Sequence, residues 1–471
     1  MTSSVSSAAR VSDFSISRPG FSTLPPRPLP VPRLDNISRT ALRSYFVNTW
    51  QLQDWLFSAI VDDAAYYTNP DPLRHLLLFY LGHPAVFYIN KLFAAGTIQK
   101  QLEARYEKIF EIGVDPEKPE DILPRINSIS WPSIDDVWEY RAEAFKLVSD
   151  LIETIPLDFA ENKPSPLWAL MMSIEHDRIH FETSSVLFRQ LPLKQLRRPL
   201  GWTYAEQGQS ALSNPMLRVP RGEVILGRPA DFPTFGWDNE YGRRVEAVDS
   251  FEASKYLVSN RELLEFVSDR GYLDDRLWEP EARQWRSRNH ITHPKFWLPR
   301  PEGFRYRAMF DEIELPLRWP AEVNFYEAEA FCRWKGESYR LMSEAEWHRI
   351  TADDDSDSRN RAQNDLCFGS PFNMNMAFGS PVPVDSGPEN CYCFAGSYGN
   401  LWQWLSDDFA PLPGFAANEL YPDFSAPFFG TKHKMLAGGS WATTGSGTSK
   451  FYRLWFRKNF YQHAGFRLAR N

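Results

Sequence analysis

Between residues 39 and 61 the apolar side chains Leu42, Tyr45, Phe46, Trp50 and Leu52 recur every three to four positions, the period of an amphipathic helix. Helical grammar continues to about Leu200. Asp71-Pro72 predicts an N-cap with a first-turn proline, and Gly82 with Pro84 breaks an apolar run so that a fresh helix should start near His83. Residues 134–155 predict another helix. A further one begins at Ser165-Pro166 and runs without Gly or Pro to about Gln190, where Pro192 closes it. Four such helices are enough for a closed bundle with its sites on facing helices.

Beyond Leu200 the pattern changes to short runs broken by Gly, Pro, Asn and Asp. Segments 219–227, 245–251 and 434–441 predict strands, and 260–270, 324–334 and 343–351 predict short helices. The expected fold class is therefore α+β, with much loop in the second half; loops of that size in a compact domain are usually binding surfaces. The expected division is a flexible extension over 1–35, rich in Ser, Pro and Arg, a helical domain over 36–200, a linker over 201–215 and the loop-rich domain over 216–471.

Composition narrows the function. The 471 residues are 43% hydrophobic and 15% aromatic with 17 Trp, as ordered domains with aromatic-lined clefts would be. A net charge of −8 gives no general attraction to phosphate backbones, so nucleic acid is not expected as a partner. The run Leu76 to Leu81 is far short of the roughly 20 apolar residues that cross a bilayer, and no apolar segment follows Met1 as a secretory signal requires. Four cysteines at irregular spacing make no disulfide framework and are read as reduced thiols. A cytoplasmic protein is expected.

The candidate chemistry begins at His176-Asp-Arg-Ile-His180, which puts two imidazoles one helical turn apart on one face. Such a pair also arises by chance among surface or core histidines. His83 on another helix could complete a three-nitrogen set with open positions, as catalytic metals require. His75 is the competing ligand, but its apolar neighbours suit packing. Asp177 stands where a zinc protease would need its catalytic Glu. Glu175 and Glu182 either orient the imidazoles through their free N–H groups or are solvated helix charges.

In the second half Gly236-Trp-Asp-Asn-Glu240, Ser343-Glu-Ala-Glu-Trp347, Gly399-Asn-Leu-Trp-Gln-Trp404, Gly438-Gly-Ser-Trp441 and Gly465-Phe-Arg467 form an ordered series. This series resembles the formylglycine-generating-enzyme fold, which is C-type-lectin-like, and the helical half with its three histidines resembles a DinB-type four-helix bundle. Together, over residues 36 to 471, they resemble the ergothioneine and ovothiol sulfoxide synthases. The segments His83-Pro-Ala-Val-Phe-Tyr-Ile-Asn-Lys-Leu92, Glu175-His-Asp-Arg-Ile-His-Phe-Glu-Thr-Ser-Ser-Val186, Arg305-Tyr-Arg-Ala-Met-Phe-Asp-Glu312 and Phe460-Tyr-Gln-His-Ala-Gly-Phe-Arg467 resemble the ovothiol branch, 5-histidylcysteine sulfoxide synthase. Ile179 stands where ergothioneine enzymes more often carry Gln, and 113–121 offers no arginine for a glutamyl thiol.

The resemblance implies Fe(II) held by His83, His176 and His180, with cysteine, histidine and O2 as substrates and Tyr421 as the catalytic phenol, although Tyr421 also suits a packed aromatic. It places Trp455 and Arg457 near the amino-acid acceptor; packing of the domain is the alternative role for both. Later steps would fall to a separate methyltransferase and a sulfoxide lyase. Ser440 to Asn471 lacks the cysteine pair that formylglycine-generating enzymes use, so sulfatase activation is not expected. The alternatives are an ergothioneine-type synthase acting on trimethylhistidine, a thiol dioxygenase, and a non-catalytic metal-binding module.

Overall fold

Serine caps start three of the four long helices of the first half. In the computed structural model, which describes residues 25–111, 113, 115–158, 165–352 and 365–471, the Ser38 side chain accepts from the Ala41 N–H at the start of α1 (Arg39–Phe57). Most of the expected 1–35 extension lies outside the described residues. Helix α2 (Leu77–Ala94) is followed by two short helices, α3 (Ala104–Ile109) and α4 (Leu123–Ser128). A Ser133/Asp136 capping box opens α5 (Ile134–Ile152), and Ser165 with Pro166 at the first helical position opens α6 (Pro166–Gln190). Helix α2 packs against α5 and α6, and α1 packs against the same two, so the four long helices close on one another.

Two expectations for this half give way. Asp71 does not cap a helix: its Oδ1 accepts from the Leu73 N–H in a local turn, and α2 starts only at Leu77. Helix α2 also runs unbroken through Gly82, His83 and Pro84, so His83 lies inside a helix and not at its start. Proline deletes one ladder bond there, and burial of nearly the whole helix face between α5 and α6 outweighs that loss.

The second half holds strands β1 (Met216–Val219), β2 (Gly222–Leu226), β3 (Arg244–Val248), β4 (Phe251–Ser254), β5 (Trp297–Arg300), β6 (Gly303–Arg307) and β7 (Glu312–Glu314). They are followed by β8 (Tyr339–Leu341), β9 (Trp402–Phe409), β10 (Gly430–Ala437), β11 (Leu454–Arg457), β12 (Ala464–Gly465) and β13 (Leu468–Arg470). Four-stranded sheets run in the orders β1-β4-β13-β8 and β11-β10-β9-β12, with smaller sheets β2-β3 and β5-β6-β7. The C-terminal strand β13 thus sits between β4 and β8, tying the end of the chain to the start of this half. The short helices α7 (Asn260–Ser268), α9 (Phe325–Lys335) and α10 (Glu344–Thr351) each open on a capping box, close to where the sequence places them; α8 (Pro280–Arg288) is an addition.

One apolar core joins the halves: Phe46, Trp55 and Trp168 belong to the same buried cluster as Trp237, Trp404 and Trp441. Helix α6 lies at its centre. Nearly all its residues are buried, including Glu175, Asp177, Arg178, Glu182 and Arg189; Glu175, Glu182 and Arg189 are met across the junction between halves, and Asp177 and Arg178 by α1 and α2. All four cysteines are free thiols, Cys332 and Cys367 buried, Cys391 and Cys393 exposed. Among the described residues no helix is long and apolar enough to cross a membrane.

Candidate metal centre and its cavity

His83 from α2 meets His176 and His180 from α6, and one nitrogen from each lies within 4.8 Å of the others. Local packing fixes His83. Gly82 lets the Phe110 ring approach, since a Cβ there would stand 2.8 Å from it, and the Phe110 carbonyl lies 2.5 Å from His83 Nδ1. With Nδ1–H donating to that carbonyl, Nε2 keeps its lone pair. His176 lies flat on Phe87 at 3.5 Å between ring centroids, one turn along α2 from His83. The Nδ1 atoms of His176 and His180 are buried without a hydrogen-bond partner.

Burial sets the charge of this cluster. It pushes His83 down to about 4, and holds His176 and His180 well below the usual imidazole range, with their mutual proximity adding to the effect. Three neutral imidazoles with orphaned buried nitrogens are a donor set suited to a divalent transition metal. His75, the rival ligand, stacks on Phe79 at 4.2 Å and stays outside the cluster.

His176 and His180 open into a cavity of about 450 Å³ walled by Phe87, Tyr421, Phe424, Trp455 and Phe460. Tyr421 is half-buried, with its ring 6.2 Å from His176 and 5.2 Å from Phe87. Burial, with Asp423 and Asp238 nearby, raises its phenol above the ordinary range and keeps it protonated. Lys91 secures its position. The ammonium donates to the Leu420 carbonyl at 2.7 Å and sits 4.2 Å from the Tyr421 ring centroid, while burial lowers it to about 8. From below, Trp237 stacks on Phe424 at 4.0 Å and Asp238 accepts from Ser425 at 2.5 Å, so the Gly236–Glu240 motif holds the Tyr421 loop.

Glu175 and Glu182 act differently from the expectation that they orient imidazoles. Glu175 accepts from Tyr45 at 2.7 Å and from the Ser446 N–H at 2.6 Å. Glu182 accepts from Trp402 Nε1 at 2.7 Å, Ser440 at 2.5 Å and Thr443 at 2.9 Å. The donors in the second half belong to the Gly399 and Gly438 motifs and the loop after them. Both carboxylates therefore fasten the histidine helix to the second half, because burial leaves a carboxylate no water to accept from.

Trp455 lines the cavity, lying parallel to Phe409 at 4.4 Å. Arg457, expected at the acceptor, is instead held by Asp115, through its Nε at 2.8 Å and a terminal nitrogen on the Asp115 carbonyl at 3.0 Å, so its charge is already matched. The sequence reading missed Arg74, Lys91, Asp115, Asp423 and His433, all in the cavity wall. Phe87 and Lys91 were within reach of it, since they follow His83 by four and eight positions on one helix face.

Residues 203–471 match the family described as sulfatase-modifying factor enzyme 1-like domain, which defines the class of the second half. The hercynine oxygenase of Mycolicibacterium smegmatis is 31% identical over 334 residues, 68% of this chain and 74% of that protein. Its namesake from Mycolicibacterium thermoresistibile is 27% identical over 87% of this chain and 90% of its own length. Ergothioneine biosynthesis protein 1 of Schizosaccharomyces pombe is 25% identical over 88% of this chain and 53% of its own length. The chain belongs to the sulfoxide synthase family that includes these oxygenases.

Proposed function

We propose that the protein is an Fe(II)- and O2-dependent sulfoxide synthase that joins the sulfur of a cysteine-type thiol to the imidazole ring of a histidine-type acceptor. The reading is carried by three neutral histidines brought together, two of which open into a cavity that also holds a protonated tyrosine. The helical half is read as a DinB-like bundle supplying the metal ligands. Bound iron would supply oxygen activation and a place for the thiolate sulfur.

The protein's own part is donor set, orientation and proton control. His83, His176 and His180 would hold the metal, and the cavity into which His176 and His180 open would take the substrates. Aromatic walls confine thiol and imidazole together and exclude bulk water. Overall, thiol, imidazole C–H and O2 give the C–S-linked sulfoxide and water: the sulfur and the ring carbon are oxidised, and O2 is reduced. Tyr421 stands where a phenolic proton or hydrogen atom can be delivered, which diverts the reaction from simple oxidation of the thiol.

The names of the relatives support hercynine, the trimethylated histidine, as acceptor. Free histidine with free cysteine is a second reading, favoured by Ile179: this apolar side chain lines the cavity between the two α6 histidines, where the resemblance to ergothioneine enzymes calls for Gln. Fe(II)-loaded protein should be given each thiol (cysteine, glutamylcysteine) with each acceptor (histidine, hercynine) under O2, and the products read by mass spectrometry. A C–S-linked sulfoxide is expected with one pair. Absence of oxygen uptake, or sulfinic acid as the main product with every acceptor, would sink the proposal.

A further inference from the structure

Among the charged groups around the cavity, most are already engaged. Lys91 donates to Leu420, His433 Nε2 lies 2.9 Å from Asp115, and Arg457 is bound by that same Asp115. Four buried arginines elsewhere are matched by carboxylates, Arg141 with Asp54, Arg189 with Glu322, Arg228 with Glu240 and Arg453 with Glu344, while Arg307 and Arg467 are met by backbone carbonyls and Arg178 by Asn48. Arg74 differs. It lines the cavity shared by His176, His180 and Tyr421, and among the described residues no carboxylate pairs with it.

Its position is built. The turn held by Asp71, which accepts from the N–H groups of Leu73 and Arg74 at 2.9 Å, fixes the backbone. The guanidinium lies over Phe460 at 4.5 Å and Phe456 at 5.4 Å. Guanidinium over aromatic rings is weakly hydrated, and its planar fork matches a carboxylate in two-point fashion. The same cavity carries Glu111 and Asp423 beside Lys91. It therefore offers both signs of charge, as a zwitterion needs.

We propose that Arg74 binds the α-carboxylate of an amino-acid substrate in this cavity. The inference rests on the sulfoxide-synthase reading for the identity of that amino acid, thiol or imidazole. Its chemistry stands apart from that reading, since any zwitterion would be recognised in the same way. Phe456 and Phe460 are then positioning residues that hold the fork at the cavity wall.

The test compares carboxylate-bearing and decarboxylated ligands. Equilibrium binding of cysteine against cysteamine, and of histidine against histamine, is measured by calorimetry under argon in the wild type, Arg74→Met and Arg74→Lys. Methionine keeps the apolar stem against Phe456 and Phe460, so the fold should persist, checked by circular dichroism. Wild type should prefer one carboxylate ligand over its amine, Arg74→Met should lose that preference with about 10–100-fold weaker binding, and Arg74→Lys should recover part of it. In turnover, KM for that substrate should rise with kcat nearly unchanged. The ligand pair that loses discrimination identifies which substrate Arg74 holds. Equal preference in wild type and Arg74→Met for both pairs overturns the proposal. Wild-type protein that binds zwitterions but consumes no O2 overturns the synthase reading and leaves the carboxylate site standing.

Discussion

Tyr421 shows how much a single side chain depends on its neighbours. Its phenol is kept protonated by burial and by Asp423 and Asp238, and its backbone is fixed by Lys91 on one side and Trp237 on the other. Tyr421→Phe removes only the hydroxyl, so metal and substrate binding should survive while the product shifts from C–S-linked sulfoxide toward sulfinic acid, read by product mass. An unchanged product ratio would assign the tyrosine to packing. Gly82 is the second residue whose role is set by a neighbour. Gly82→Ala favours the helix intrinsically but pushes against the Phe110 ring, whose carbonyl orients His83. Helix content should stay constant while metal affinity, measured by competition with a chelator, falls about 10-fold. Unaltered affinity would mean that Phe110 moves without disturbing His83.

At the scale of elements, α6 is the part that makes the site. Its apolar face packs in the bundle, and its polar face is docked by the second half. Glu182, two residues beyond His180, collects donors from three residues of that half. Glu182→Ala would leave those buried donors without an acceptor and should cost about 2–4 kcal/mol of stability by denaturant unfolding. A loss near zero would show that the halves are held by the shared apolar core alone. The helix itself was legible: Ser165-Pro166 and Pro192 bracket it, and the spacing of His176 and His180 sets both on one face. What its polar residues do was not legible, because Glu175 and Glu182 look the same in sequence whether they meet water, a histidine or a distant loop.

For the whole molecule, buried carboxylates shape the response to pH. Glu327 caps α9, accepts from Tyr272 at 2.7 Å, and is raised by burial from 4.5 to about 7. A carboxyl whose folded value lies above its unfolded one holds its proton more tightly when folded. Its contribution is therefore greatest below about 4.5 and declines as pH rises through about 7. In Glu327→Gln that decline should vanish, flattening the thermal midpoint between those limits relative to wild type; parallel curves would exclude Glu327 as the source. Glu322, lowered to about 2 chiefly by Arg189 against the cost of burial, acts in the opposite sense, and its stabilisation fades only as pH falls from 4.5 toward that value.

The sequence by itself determined the Ser165-Pro166 start of α6, the change of grammar near Leu200, the α+β class and the three histidines, because these are written in local spacing and in chemistry-bearing residue types. Only the tertiary structure decided that α2 passes through Pro84 unbroken, that Glu175 and Glu182 clamp α6, and that Arg457 is matched by Asp115 while Arg74 faces the cavity. Each of those depends on partners separated by tens to hundreds of residues, and burial makes the choice among them: a charge removed from water must find the nearest partner that the packing allows.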